Sequence, residues 1–208
     1  MTAEKLNIRK FIGINKNKVY TDERLIFNDP DSNFKTIGKS LYNMLKCSYP
    51  KYYKMDNLSK LTFLVTEMLN KEVNLKQFNP DKTAIILSNS ESTLDTDRKF
   101  TSTIDTIPSP AVFVYTLPNI ATGEISIRYG LKGENLFLVE ESFNPKILVE
   151  QTEMLFADSD TEVCITGWTD YIDQDRYKAC LWLIERYSGS RGRIFNAPEL
   201  QNDFNMTE

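Results

Sequence analysis

Apolar and polar residues fall into blocks whose period changes along the chain, and each change marks a predicted element. Residues 9–14 are apolar at their centre, from Phe11 to Ile14, and close on Asn15 and Lys16, as a strand meeting a turn does. A second short strand is expected over Lys18 to Phe27. The run 28–33, Asn-Asp-Pro-Asp-Ser-Asn, is turn chemistry, and after it Phe34, Ile37, Leu41 and Leu45 recur at helical spacing. A connector of Tyr and Lys, Tyr49 to Lys54, leads to Asp56. That residue stands as an N-cap before Leu58, Leu61, Leu64, Val65, Met68 and Leu69, the clearest helical pattern in the chain.

Thr83 to Leu87 is a short apolar run closed by Ser88, Asn89 and Ser90, the form of a strand buried on both faces of a helix-covered sheet. Residues 91–110 read as a loop or short helix. The segment 117–129 carries two periods at once: Ile125, Ile127 and Tyr129 alternate like a strand, while Leu117, Ile120 and Ala121 sit at helical spacing. Leu136 to Val139 reads as another buried strand, Lys146 to Ala157 as a helix, Val163 to Ile165 as a strand running into Thr166 and Gly167, and Lys178 to Glu185 as a final strand. The expected domain covers residues 1–187; from 188 on, periodicity fades and a polar, mobile tail to residue 208 is expected. The order β, β, α, α, β, two-period segment, β, α, β, β predicts one α/β layer structure.

Composition narrows the function classes. With 208 residues, 41% of them apolar and 12% aromatic, the chain can build a substantial core. A net charge of −4 and a pI near 5.1 give no general field for phosphate backbones, so nucleic acid is not expected as a partner. The first eleven residues carry charge throughout and do not read as a secretory signal, and no run is apolar enough to cross a membrane. Cys47, Cys164 and Cys180 are an odd, widely spaced set, two of them in apolar runs, which fits a reducing cytoplasm. In that compartment the sequons at Asn57 and Asn205 carry no sugar.

The inventory of chemistry is thin. The chain has no histidine, which removes the usual proton carrier near neutral pH and the commonest zinc ligand. Ser188-Gly189-Ser190-Arg191-Gly192 opens no helical pattern and so is not read as a phosphate loop. Glu140-Glu141 and Asp158-Ser159-Asp160 lack the ligand spacing of a calcium loop and read as solvated turns. The aromatic and basic side chains of Lys46 to Lys54 could stack on bases or meet an acidic partner, against the plainer reading of a solvated connector. No cofactor, no metal and no catalytic residue is expected.

One stretch is more specific. Pro110-Ala-Val-Phe-Val-Tyr-Thr-Leu-Pro-Asn119, then Ala121-Thr-Gly-Glu-Ile-Ser-Ile127 and Gly130-Leu-Lys-Gly133, resembles the segment that precedes the nucleophilic cysteine of β-ketoacyl synthases and their chain-length-factor relatives. Ile85 to Ser90 is similar to one of that family's central strands, and Val163 to Gly167 resembles its strand ending in a Gly-Gly turn, here Gly167-Trp168. These matches span roughly residues 8 to 186. The resemblance implies a helix over the two-period segment and a thiolase-type fold of two similar α/β halves. This chain would correspond to the first half, a mixed sheet covered by helices.

The resemblance also implies what is lacking, because the family's catalytic histidines and lysine lie in the second half. Ser142 falls in the nucleophile slot, followed by Phe143-Asn144-Pro145 where the family has small residues. A serine needs a base to attack a thioester, so Ser142 reads as a cap or turn hydroxyl. The implied function is a noncatalytic, ketosynthase-like accessory protein in fatty-acid, polyketide or pigment biosynthesis. Its partner would be a ketosynthase-like protein or a second copy, joined through residues 134 to 142, with an acyl carrier protein as a further partner. Two alternatives remain open: a split acyltransferase or condensing enzyme in which a second chain supplies the base for Ser142, and a binding protein with a cleft near Leu117 to Ile120.

Overall fold

The computed structural model describes residues 5–105, 107–186 and 192–207. In chain order its elements are β1 (Leu6–Asn15), β2 (Lys18–Thr21), β3 (Arg24–Asn28), α1 (Phe34–Met44), α2 (Asn57–Val73), β4 (Thr83–Asn89), α3 (Leu94–Ile104), α4 (Pro110–Phe113) and α5 (Asn119–Tyr129). There follow β5 (Asn135–Val139), α6 (Pro145–Asp158), β6 (Val163–Tyr171), β7 (Tyr177–Arg186), β8 (Arg193–Ile194) and α7 (Ala197–Met206). The strands form one mixed sheet in the order β3-β2-β1-β7-β6-β4-β5, with β8 paired to β1. β4 runs parallel to both β5 and β6, while β7 is antiparallel to β6 and β1.

Both faces of the sheet are covered, as expected of its apolar central strands. On one face Phe34, Ile37 and Leu41 of α1, the apolar side of α2, and Ala121, Ile125 and Tyr129 of α5 pack on Ile12, Ile85, Ile165, Leu181 and Leu183. On the other, Leu148 and Phe156 of α6 and Leu200 of α7 pack on Ile8, Phe11, Ile86, Cys164 and Trp182. Asp56 caps α2 as its position suggests, accepting from the Ser59 backbone N–H at 3.0 Å. The two-period segment is helical: α5 turns Ala121, Ile125 and Tyr129 inward and leaves Ile127 exposed.

Several expectations are corrected. The strand expected over 18–27 is two strands, because the chain turns at Asp22, which has a positive φ of 48°. Leu136 to Val139 is a strand with partly exposed side chains rather than a buried one, since among the described residues no strand pairs beyond β5. The segment 91–110, open between loop and short helix in sequence, holds the three-turn helix α3, so there the helical alternative is the right one. The Lys46 to Lys54 connector is not simply solvated: Tyr52 is buried and Tyr49 stacks on Phe63 with centroids 5.5 Å apart. β6 does not stop at Gly167 but runs on to Tyr171. A Cβ at Gly167 would lie 2.3 Å from the Cys180 carbonyl oxygen, so the glycine permits close strand approach rather than a turn.

The mobile-tail expectation for 188–208 is also corrected. Residues 187–191 lie outside the described residues, but from 192 on the chain adds β8 and α7, and Leu200 is fully buried. What holds this segment is polar and long-range. The buried Asp203 carboxylate accepts from Trp182 Nε1 at 2.7 Å and from both terminal nitrogens of Arg193 at 2.8 and 2.6 Å. Such links leave no periodic trace in sequence.

A second buried carboxylate ties the opposite face. Glu67 on α2 accepts from Arg128 Nε and Tyr129 Oη on α5, each at 2.7 Å, and from the Cys47 thiol at 3.6 Å. Arg128 also lies over the Tyr49 ring, 4.8 Å from its centroid. Burial, more than the neighbouring Glu67 charge, pushes the Cys47 thiol up to about 12.

Two outcomes follow from this packing. Val163→Asp places a charge without a partner in the buried strand β6 and should unfold the protein, since the penalty of several kcal/mol rivals a stability of about 5–15 kcal/mol; an unchanged melting temperature by circular dichroism would refute the packing. A thiol with a raised pKa stays protonated until pH approaches the raised value, so at pH 8 native Cys47 should alkylate with iodoacetamide roughly 10³-fold more slowly than in urea-unfolded chain. Mass spectrometry of the labelled peptide reads the ratio, and equal rates would contradict the Glu67 cluster.

Candidate functional site

The carboxyl ends of parallel strands are the usual place for ligands in α/β sheets, because the strand-to-helix turns open there. In this chain a cavity of about 510 Å³ lies at that end, with Ser142 on its wall. Ser142 sits on an exposed bend between β5 and α6. The bend is set by Asn144, the N-cap of α6, which accepts from the Ile147 backbone N–H at 3.4 Å and donates to Glu140 at 3.2 Å. The cap is therefore Asn144, not Ser142, and Ser142 makes no hydrogen bond among the described residues.

The floor of the cavity is aromatic. The Phe143 ring stacks face to face on Phe204 of α7, with centroids 4.0 Å apart and planes 6° from parallel. It also meets Trp168 edge-on at 5.8 Å and stacks on Trp182 at 6.0 Å. Gln201 and Asn205 of α7 continue the wall beside Phe204.

Three charged groups of the cavity, Asp170, Lys178 and Arg176, are engaged in architecture. Asp170, at the end of β6, accepts from Ser90 Oγ at 2.8 Å and from the backbone N–H groups of Ser90 and Glu91 at 3.3 and 3.2 Å. It fixes the turn after β4. Lys178 donates to the Phe204 carbonyl at 2.9 Å and lies over the Phe204 ring, while Arg176 pairs with Asp173 at 2.6 Å. The carboxylate next to Ser142 in sequence is Glu141, exposed to water. The arrangement has room for a ligand beside Ser142, and the chain has no histidine.

The other sequence candidates lie elsewhere. Leu117 is exposed beside Phe113 and Val114, and none of the cavities of about 510, 460 and 360 Å³ reaches Leu117 to Ile120. Glu140 is bonded to Asn144, and Asp160 approaches Lys82 at 3.6 Å. Among the described residues no three Asp, Glu, Cys or His side chains gather as a metal would need. Cys164 and Cys180 are fully buried, and burial pushes both thiols up to about 12. No helix of the described residues is long and apolar enough to cross a membrane. Phe204, Lys178 and Asp170 were not singled out in the sequence, since each is an ordinary residue until the fold brings it beside Phe143 or Ser90.

No protein-family model matches the chain, and no curated protein matches it in sequence. Solved structures do match it. The ishigamide ketosynthase/chain length factor superimposes with a TM-score of 0.64 at 13% identity, over 91% of this chain and 64% of that one. A type II PKS acyl-carrier protein in complex with its ketosynthase, bound to the hexaketide, gives 0.60 at 13% identity over 88% of this chain and 62% of that one. A ketosynthase in complex with its chain length factor from Xenorhabdus doucetiae gives 0.53 at 14% identity over 89% and 80%. The chain thus spans less than two thirds of the first two structures, and its fold is the one α/β half of the thiolase type that ketosynthase and chain-length-factor structures contain.

Proposed function

We propose that this protein is a ketosynthase-like accessory subunit that carries out no condensation itself and serves fatty-acid, polyketide or pigment assembly by pairing with other proteins. The observation that supports the reading is the setting of Ser142, the residue that the resemblance would put in the nucleophile slot: it lies on an exposed bend, in a chain without histidine, over a floor filled by Phe143 and Phe204. A site of this kind retains the frame of the fold while lacking the base that acyl transfer needs.

The pairing surface in this reading is the β5 edge. An unpaired edge strand offers a row of backbone donors and acceptors to another strand. Around it the side chains are apolar and open to solvent: Val139 at its end, Ile127 on α5 to one side and Met154 on α6 to the other. A groove of about 360 Å³ between β5 and α6 is floored by Ile86, Leu136 and Leu155. The partner that fits is a ketosynthase-like chain or a second copy presenting the same strand. The solved relatives that pair a ketosynthase with a chain length factor or an acyl carrier protein motivate the choice of partners.

Mixing the purified chain with acyl-loaded carrier protein and a full-length ketosynthase tests the reading. A complex should form with no acyl group on Ser142, and Ser142→Ala should assemble equally well; an acyl-serine adduct by mass spectrometry would replace this reading with a split enzyme whose base comes from the partner. In light scattering, the unmodified chain should be dimeric at micromolar concentration or bind such a partner. Leu138→Lys, which sets like charges across a symmetric β5 contact, should weaken association by ~10-fold or more. A stable monomer that recovers no ketosynthase-like partner counts against it.

A further inference from the structure

We propose that α7 is a detachable cover over the Ser142 cavity, latched by Asp203, which opens while the sheet stays folded. The inference concerns only this chain and stands independently of the accessory role.

α7 walls the cavity through Gln201, Phe204 and Asn205. Its seat differs from that of the other covering helices. α2 buries most of its apolar residues in the core, and α6 buries Leu148 and Phe156, whereas α7 sinks only Leu200 completely and leaves Phe204 and Met206 partly exposed. Its other attachments are the stack of Phe204 on Phe143 at the rim of the core and individual polar links: Asp203 to Trp182 and Arg193, Lys178 to the Phe204 carbonyl, and Asn15 Nδ2 to the Thr207 carbonyl at 2.7 Å. Its sequence, Ala-Pro-Glu-Leu-Gln-Asn-Asp-Phe-Asn-Met, places two Asn and an Asp at helical positions, where they form helix poorly. A contiguous unit at one side of the sheet, with a single fully buried apolar side chain and its other anchors partly open to solvent, is of the kind that opens sub-globally.

The consequence of opening is local. Lifting α7 removes Phe204 from Phe143, widens the cavity beside Ser142, and exposes the indoles below. Both tryptophans of the chain lie under this helix: Trp182 is bonded to Asp203, and Trp168 stands edge-on to Phe204 at 6.3 Å. Strand pairing of β6 with β4 and β7 does not involve α7.

Hydrogen–deuterium exchange of the full chain, read by mass spectrometry, together with acrylamide quenching of tryptophan emission, decides the matter. In the native chain, peptides from 197–206 should exchange ~100-fold faster than those from 163–171 and 177–186. Asp203→Asn should speed exchange of α7 by a further ~10-fold and raise quenching, leaving β6 and β7 protected. Phe204→Ala, which keeps the Asp203 latch, should also raise quenching at unchanged protection of the strands, and it serves if the first variant does not fold. Equal protection of α7 and the central strands in the native chain, or parallel loss over all three in either variant, overturns the proposal.

Discussion

The structure turns on the close approach of two backbones at Gly167. A Cβ there would lie 2.3 Å from the Cys180 carbonyl oxygen and 2.5 Å from Leu181 Cδ2, so only a bare residue lets β6 and β7 sit at sheet spacing with Leu181 laid across. That approach holds the register in which Thr166 faces Trp182 and Asp170 faces Lys178. From this register the rest follows. Asp170 reaches the turn after β4, Trp168 enters the aromatic floor, and Lys178 meets the last turn of α7.

Two buried carboxylates give the covers of the sheet their positions. Glu67, answered by Arg128 and Tyr129, joins α2 to α5 on one face; Asp203, answered by Arg193 and Trp182, joins α7 and β8 to the other. A buried ion pair adds little net stability against apolar packing, but leaving one member alone is costly. Each pair therefore selects one placement of its helix over neighbouring ones. The same accounting describes the cavity, where Asp170, Lys178 and Arg176 all have partners in the fold.

What could be read from sequence was whatever leaves a local repeat. Asp56 with Leu58, Leu61 and Leu64 announces α2 because cap and stripe lie within a few residues. Thr83 to Leu87 announces a central strand because burial on both faces leaves an unbroken apolar run. The family-like stretch settled α5, whose own residues carry two periods. α7 stayed hidden, since its defining contact joins Asp203 to Trp182 across a polar segment with one fully buried leucine. Ser142 lies on the bend before α6 while Asn144 takes the cap, and its environment was not legible: that Phe143 lies on Phe204 depends on the return of the chain after β8.

The first strand waits for its neighbours. β1 pairs with β2 at one end, but along most of its length its partner is β7, with Leu6 opposite Arg186, and its remaining flank is closed by β8. Gly13 of β1 also receives the Thr207 methyl group, where a Cβ would sit only 2.6 Å away. Contacts so distant in sequence bear a large loop-closure entropy and slow the search for the native state. During synthesis the apolar strand from Phe11 to Ile14 emerges early and remains without its main partner until nearly the whole sheet has been made. For that interval β1 has only its local partner β2, and its apolar edge is open to pairing with other chains.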